Sequence, residues 1–172
     1  MRIFFIAMVL FSCICLQGQT IVNINGIPRD TSFNVKDTYL KEAKSRPYIR
    51  IAEAEHNGSI KEIEGITYAT PYEGRALKVN IYRPNDDKKY PVLLMVHGGG
   101  WASGDPSIEK PIAIAIAQEG YFTIPVEYRL SPEAQYPAAV HDLKTAVRWL
   151  RANADKYGID TVHIAMSGNS AG

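Results

Sequence analysis

The sequence has few cysteines and little net charge, and these two features argue against several classes of function. Its 172 residues contain two cysteines, Cys13 and Cys15, and both belong to an uncharged, mostly apolar run, residues 3–16, near the N-terminus. That run is too short to span a bilayer comfortably. The formal net charge of +1 gives no strong field that would attract nucleic acid or an acidic surface. With 46% hydrophobic and 22% charged residues, the composition fits an ordinary globular protein.

The N-terminus has the pattern of a secretory signal peptide. Arg2 supplies the positive charge, residues 3–16 supply the apolar segment, and small or polar residues follow at positions 17–20. We therefore expect residues 1–19 to be removed and the mature protein to be periplasmic or secreted, without a transmembrane span. The mature chain would then contain no cysteine and would fold without disulfides. Lipidation at Cys13 is the alternative, because residues 10–13 resemble a bacterial lipoprotein box.

No metal or cofactor site is expected. The four histidines are scattered along the sequence, and a mature chain without cysteine lacks the usual ligand set. The glycine run after His97 lacks the Lys-Ser/Thr ending of a phosphate-binding loop.

The last residues contain the pattern with the clearest chemistry. Gly168-x-Ser170-x-Gly172 matches the nucleophile elbow, a tight turn that lifts a serine hydroxyl clear of the fold. Glycine is needed on both sides because a Cβ would collide in such a turn. Residues 161–166 upstream are typical of a short buried strand, which is the element that should lead into an elbow.

A second pattern follows the apolar segment 91–96. Residues 97–101 are His-Gly-Gly-Gly-Trp, and three consecutive glycines expose backbone N–H groups from which an oxyanion hole can be built. A flexible glycine turn is the alternative interpretation, but an elbow later in the same chain favours the oxyanion hole.

Together these patterns resemble the first half of an α/β-hydrolase of the carboxylesterase and lipase type. The similarity is to the hormone-sensitive-lipase-like and the feruloyl or acetyl-xylan-esterase-like groups. It rests on residues 97–101 with Gly104-Asp105, on residues 128–133 with 136–139, and on residues 168–172. The resemblance implies an α/β-hydrolase fold: a mostly parallel sheet with an N-terminal antiparallel hairpin, truncated after the nucleophile elbow.

The resemblance also implies a role for individual residues. Ser170 would be the nucleophile, and the backbone amides of Gly99, Gly100 and Ala171 would form the oxyanion hole. Four residues would support these groups: His97, Gly98, Gly168 and Gly172. In this fold the triad acid and histidine follow the serine, so the 172 residues alone are expected to be inactive. Natural truncation and a sequence fragment are the two explanations for the missing triad partners.

These features predict a hydrolase that cleaves carboxylic esters through an acyl-enzyme on Ser170. Its substrate would be a small-molecule or polysaccharide-linked ester, with no nucleic-acid partner. Two alternatives remain, because a fold does not fix a substrate. One is a peptidase or amidase of the same fold, and the other is a non-catalytic, truncated hydrolase-like protein.

The remaining pattern divides the chain into a signal peptide (1–19), an N-terminal arm (20–59) and the N-terminal half of an α/β-hydrolase domain (60–172). The arm is expected to be loosely packed, with a short helix near residues 39–43. The hydrolase half is expected to follow the order hairpin, strand, helix, strand, helix, strand. The predicted ranges are 60–82 for the hairpin, 91–96 for the first strand, 108–119 for the first helix and 121–128 for the second strand. The second helix begins at residue 137 and is ended by Gly158, and the last strand covers residues 161–166.

Three side chains outside the main patterns have structural interpretations. Asp142 would suit the N-terminal end of its helix, beside His141. His163 would be a core or strand-end residue. Trp101 would line the acyl pocket or pack as a core aromatic.

Overall fold

The computed structural model describes residues 21–24, 26–55 and 57–172. The predicted signal peptide and Cys13 therefore lie outside the described residues. Seven strands are present in this part of the chain: β1 (Ile21–Ile24), β2 (Ile27–Asp30), β3 (Ile60–Tyr72), β4 (Arg75–Pro84), β5 (Tyr90–Val96), β6 (Phe122–Val126) and β7 (Ile159–Gly168). The helices are α1 (Val35–Glu42), α2 (Lys110–Gln118), α3 (Ala138–Ala152) and α4 (Ala154–Tyr157), with a 3₁₀ turn at Pro106–Glu109. Within the same residues, no helix is long and apolar enough to cross a membrane.

A five-stranded sheet in the order β3-β4-β6-β5-β7 forms the centre of the fold. β3 and β4 form the predicted antiparallel hairpin, and β4 continues antiparallel to β6. β5 is parallel to both β6 and β7. This mixed sheet with an N-terminal hairpin confirms the predicted α/β architecture.

β5 lies inside the sheet, between β6 and β7, and is covered on both faces, as its continuous apolar sequence predicts. On one face, Leu94 packs in a cluster that includes Leu150 of α3. On the other face, Met95 packs against Ala113 and Ile114 of α2. The carboxyl end of β5 is therefore held rigidly where the glycine run begins.

The helix predicted at 108–119 is present. It starts with the 3₁₀ turn, and α2 then runs from Lys110 to Gln118. Its buried side is formed by Ala113, Ile114 and Ala117, whereas Ile112 is 52% exposed.

β6 is shorter than the predicted strand 121–128, and it contains Pro125, which cannot donate a hydrogen bond to a ladder. Pro125 faces Met95 in the parallel ladder with β5. On the other side, the ladder with β4 contains the pairs Val79–Val126 and Tyr82–Thr123. Pro125, which has no N–H, therefore lies between two paired positions of the β4–β6 ladder.

The second predicted helix divides into two. α3 begins directly after Pro137 and ends at Ala152, and Gly158, with φ of 70°, ends the short α4. The interpretation of Asp142 as a helix-end charge was incomplete. Asp142 is buried and binds the Arg129 guanidinium, with Arg129 Nη2 2.7 Å from Asp142 Oδ1.

The N-terminal arm is better anchored than predicted. Asp30 at the end of β2 is 7% exposed, and its N–H donates to the carbonyl of Ala102 over 3.0 Å. α1 begins at Val35, four residues before the expected helix, because Asn34 caps it by accepting from Asp37 N. The division of the chain at residue 60 stays a prediction.

Candidate active site

The turn after β7 has the geometry that an exposed nucleophile requires. Ser170 is exposed and has φ of 56°, in the left-handed region that non-glycine residues rarely adopt. The turn is closed by a hydrogen bond from Gly172 N to Asn169 O over 3.0 Å. Asn169 N in turn donates to Val96 O over 3.1 Å, which ties the turn to the end of β5. A strained residue held this way by its surroundings is typical of a functional site.

The two flanking glycines are required by close backbone contacts. A Cβ on Gly168 would overlap the backbone of Gly172, and a Cβ on Gly172 would overlap the carbonyl of Val96. Steric overlap therefore explains why glycine is needed at both positions, as the sequence pattern predicted.

β7 itself differs from the expected short buried strand at 161–166. It spans ten residues, most of them exposed, with Val162 82% and Met166 51% exposed. The reason is its position, because within the described residues β7 pairs with β5 alone.

The glycine run after β5 forms a tight loop. Gly99, Gly100 and Trp101 all have positive φ, at 127°, 60° and 59°. The Gly99 carbonyl accepts from the backbone N–H groups of Ala102 and Ser103 and from the Ser103 hydroxyl. These contacts fix the peptide that follows Gly99, and a Cβ on Gly99 would overlap the carbonyl of Ser103.

The loop and the turn lie directly against each other. A Cβ placed on Gly98 would be 2.7 Å from Asn169 O and 3.0 Å from Ser170 Cβ. A cavity of about 340 Å³ opens at this junction. Seven residues line it: Phe33, Gly98, Gly99, Gly100, Ile108, Asn169 and Ser170.

Some polar groups around this cavity have no hydrogen-bond partner among the residues that the structure describes. Across the residues that the structure describes, the N–H groups of Gly99, Gly100 and Ala171 make no protein hydrogen bond, and neither does the Ser170 hydroxyl. Backbone donors that are left free beside a serine can bind a developing oxyanion. The assignment of Ser170, Gly99, Gly100 and Ala171 to catalysis stays a prediction.

His97 braces the loop and does not reach into the cavity. It is 1% exposed, its Nδ1 lies 2.8 Å from Gly98 O, and its ring stacks on Tyr128 at 4.6 Å between centroids. The Tyr128 hydroxyl donates to the carbonyl of His97 over 2.8 Å. Burial lowers the pKa of His97, although the bond to Gly98 partly offsets this effect, so the ring is neutral at pH 7.

The other candidate side chains do not line the Ser170 cavity. His163 is exposed near the middle of β7, with its Nδ1 2.7 Å from Asp160 Oδ2, so it is neither the core residue nor the strand-end residue that was predicted. His141 is exposed on α3. Trp101 is 60% exposed and lines a neighbouring cavity with Tyr136, so it is neither a core aromatic nor part of the Ser170 cavity.

Two cavity residues were missed by sequence reasoning. Phe33 precedes α1, and Ile108 belongs to the 3₁₀ turn before α2. Neither belongs to a motif, and their positions beside Ser170 depend on contacts between distant parts of the chain. Only knowledge of the fold could have identified them.

Known esterases are similar to this chain in sequence. It is 37% identical over 97 residues to the esterase LipC of Mycobacterium tuberculosis, covering 55% of this chain and 24% of LipC. It is 38% identical over 104 residues to the carboxylesterase NlhH of the same species, covering 59% of this chain and 33% of NlhH. The matches thus span about a quarter to a third of the length of these curated relatives.

A solved esterase structure shares the fold. The Pyrobaculum calidifontis esterase superimposes with a TM-score of 0.60 and 31% identity, covering 81% of this chain and 45% of the other. The predicted α/β-hydrolase fold is therefore confirmed. Residues 79–172, which contain the glycine loop and the serine turn, match the family BD-FAE. The chain belongs to the BD-FAE family, within the α/β-hydrolases of the esterase type.

Proposed function

We propose that this protein is a serine hydrolase that cleaves carboxylic esters through an acyl-enzyme on Ser170. One observation carries the proposal: the exposed Ser170 shares a cavity with Gly99 and Gly100, whose amide N–H groups have no hydrogen-bond partner among the described residues. The names of the relatives, esterase and carboxylesterase, support the same class of reaction.

The proposed chemistry takes place in two steps. Ser170 Oγ attacks the ester carbonyl carbon, and the negative charge that develops on the carbonyl oxygen is stabilised by the amides of Gly99, Gly100 and Ala171. The intermediate collapses, and the alcohol leaves with a proton. Water then attacks the acyl-enzyme, which releases the carboxylic acid and restores the serine hydroxyl. The net reaction consumes one ester and one water.

A serine hydroxyl needs a base to act as a nucleophile at neutral pH, and a histidine oriented by a carboxylate supplies it in such enzymes. Of the histidines that the structure describes, none lines the cavity with Ser170. In this proposal the described residues would supply the nucleophile and the oxyanion hole, but not the base.

The cavity and the predicted export support a proposal for the substrate class. A volume of about 340 Å³ is near the lower end of ligand pockets, about 300 to 1,000 Å³, which favours short acyl groups. We propose small-molecule or polysaccharide-linked esters as substrates, met outside the cytoplasm.

A substrate panel tests this function in the natural full-length protein. We expect release of acid from p-nitrophenyl acetate, p-nitrophenyl butyrate or acetylated xylan, and much slower cleavage of acetyl-p-nitroanilide. Absence of release from every ester would refute the proposal. Faster cleavage of the anilide would instead identify a peptidase or amidase.

The contact between the glycine loop and the serine turn leads to a further prediction. Gly98→Ala should lower kcat on p-nitrophenyl acetate by about 100-fold, because misplacing catalytic groups by about 1 Å has an effect of that size. The new Cβ would be 2.7 Å from the backbone oxygen of Asn169, so the loop and the turn must separate.

Gly74→Ala is the matched control. Gly74 has φ of 76° in the β3–β4 turn, and a Cβ there meets nothing within 4 Å. This variant should lose stability because alanine is strained at positive φ, but its kcat should be unchanged. Equal kcat in Gly98→Ala and the parent would contradict the proposed arrangement.

A further inference from the structure

One wall of the Ser170 cavity comes from the N-terminal arm. Phe33 lies between β2 and α1, and its side chain faces the cavity that Gly98, Gly99 and Ser170 line. Phe33 is 44% exposed, so its ring is accessible from the cavity.

The arm is fastened to the glycine loop close to Phe33. Asp30 N donates to Ala102 O over 3.0 Å, and Arg29 Nη1 donates to Gly104 O over 3.3 Å. Arg29 also forms an ion pair with Glu127 at 2.7 Å, and both side chains are largely buried. These contacts hold β2 beside the residues that follow the predicted oxyanion hole.

A local turn then directs the chain toward the cavity. Ser32 N donates to the buried Asp30 carboxylate over 2.8 Å, which bends the chain just before Phe33. Asn34 caps α1 directly after Phe33. Phe33 is thus fixed from both sides, by the anchor at Asp30 and by the start of the helix.

The cavity is polar where the reaction would occur and apolar away from it. Ser170 and the glycine loop provide the polar part, and Phe33 and Ile108 provide the large apolar side chains. In an acyl-enzyme the acyl group stays bonded to Ser170 while the alcohol leaves. A cavity lined by both the nucleophile and the oxyanion loop is therefore placed to hold the acyl group through both steps.

We propose that Phe33 is a specificity-determining residue that limits the length of the acyl group. This inference rests on the proposed ester hydrolysis at Ser170. The phenyl ring closes the apolar part of the cavity, so short acyl groups fit and longer ones collide with it. Specificity would then depend on the arm as well as on the motifs of the hydrolase half.

The test measures kcat/KM of the natural full-length protein on p-nitrophenyl acetate, butyrate, hexanoate and octanoate. In Phe33→Ala, we expect the octanoate-to-acetate ratio of kcat/KM to rise by about 10-fold or more, a range typical of changes in a hydrophobic pocket. Phe33→Leu should give an intermediate ratio. Thermal unfolding of each variant establishes that it is folded.

Leu40→Ala is the matched control, because Leu40 is a 53% exposed apolar residue on α1 that does not line the cavity. Its ratio should equal that of the parent. A second series, ethyl, butyl and hexyl acetate, varies the alcohol. A change in this series alone would overturn the acyl assignment of the cavity.

The experiment distinguishes failure of the proposed function from failure of the proposed role of Phe33. If the parent cleaves none of the esters, the proposed function itself is refuted. If the parent is active and folded Phe33→Ala changes the octanoate-to-acetate ratio by less than about twofold, the role of Phe33 is refuted while ester hydrolysis stands.

Discussion

Ser170→Ala should lower kcat for ester hydrolysis by about 10⁵-fold or more, the size of effect seen when the nucleophile of a serine hydrolase is removed. The acyl-enzyme cannot form without the hydroxyl, so only the oxyanion hole and substrate binding would remain to assist water. The alanine should adopt the same positive φ as Ser170, because Gly172 N and Asn169 N still tie down the turn. Rates on p-nitrophenyl acetate, measured with the natural full-length protein, check this prediction.

Ser167→Ala is the matched control for this experiment. Ser167 lies in β7, pairs with Met95 of β5, and does not line the cavity. Its kcat should be close to that of the parent. A fluorophosphonate probe adds a second measurement, because it should modify the parent and Ser167→Ala but not Ser170→Ala. A folded Ser170→Ala that keeps more than about 1% of the parent kcat would rule out Ser170 as the nucleophile.

The serine turn could be located from the sequence because its constraints are local. Tight packing around a serine at positive φ requires glycine at fixed distances on either side, and that requirement leaves a readable spacing. The glycine run after β5 is readable for the same reason, since Gly99 cannot carry a Cβ beside Ser103. The structure brings these two stretches, about seventy residues apart in the chain, into contact.

Features that depend on contacts between distant parts of the chain produce no such local sequence pattern. Asp142 looked like a helix-end charge because its partner, Arg129, reaches it from the loop after β6. Phe33 looked like part of a loose arm because its location depends on Asp30 and Ala102, which are far apart in sequence. Hydrophobic periodicity carries no information about which distant backbone a side chain will meet.

The same limit applies to the ion cluster under the β3–β4 hairpin. Arg75 is 3% exposed and binds Glu133 through its Nε at 2.6 Å and Glu127 through its Nη2 at 3.0 Å. Glu127 also binds Arg29 of the arm. These residues form one cluster that connects the hairpin, the loop after β6 and the arm. Nothing in the local sequence around Arg75 indicates it.

Arg75→Met should lower the free energy of unfolding by about 3 to 5 kcal/mol, because it leaves the buried Glu133 carboxylate without its main partner. Methionine keeps much of the volume of the side chain, so the lost partner and not a cavity should dominate. Chemical denaturation at pH 7, followed by circular dichroism, measures the change in the natural full-length protein.

The pH dependence of this loss separates charge from packing. In the parent, burial raises the pKa of Glu133, but hydrogen bonds from Arg75 and Tyr72 outweigh it and leave the pKa below 4.5. A lowered carboxylate pKa contributes stability above the unfolded-state pKa, and this contribution is lost as the pH falls through the folded-state pKa. Without Arg75, burial should raise the pKa of Glu133 above its unfolded value. Protonation of Glu133 at low pH then removes the unpaired buried charge from the variant. The difference in stability between parent and variant should therefore be largest near pH 7 and should shrink toward pH 4.

Two comparisons complete the test. Arg75→Met/Glu133→Gln removes the orphaned charge and should recover at least about 1 kcal/mol of the loss at pH 7, with little pH dependence in what remains. Lys89→Met breaks the exposed pair with Asp155, whose side chains are 57% and 95% exposed, and should change stability very little. If the loss in Arg75→Met were the same at pH 4 and pH 7, the cluster would stabilise the fold through packing alone. The electrostatic account of how the arm, the hairpin and the loop after β6 are held together would then be wrong.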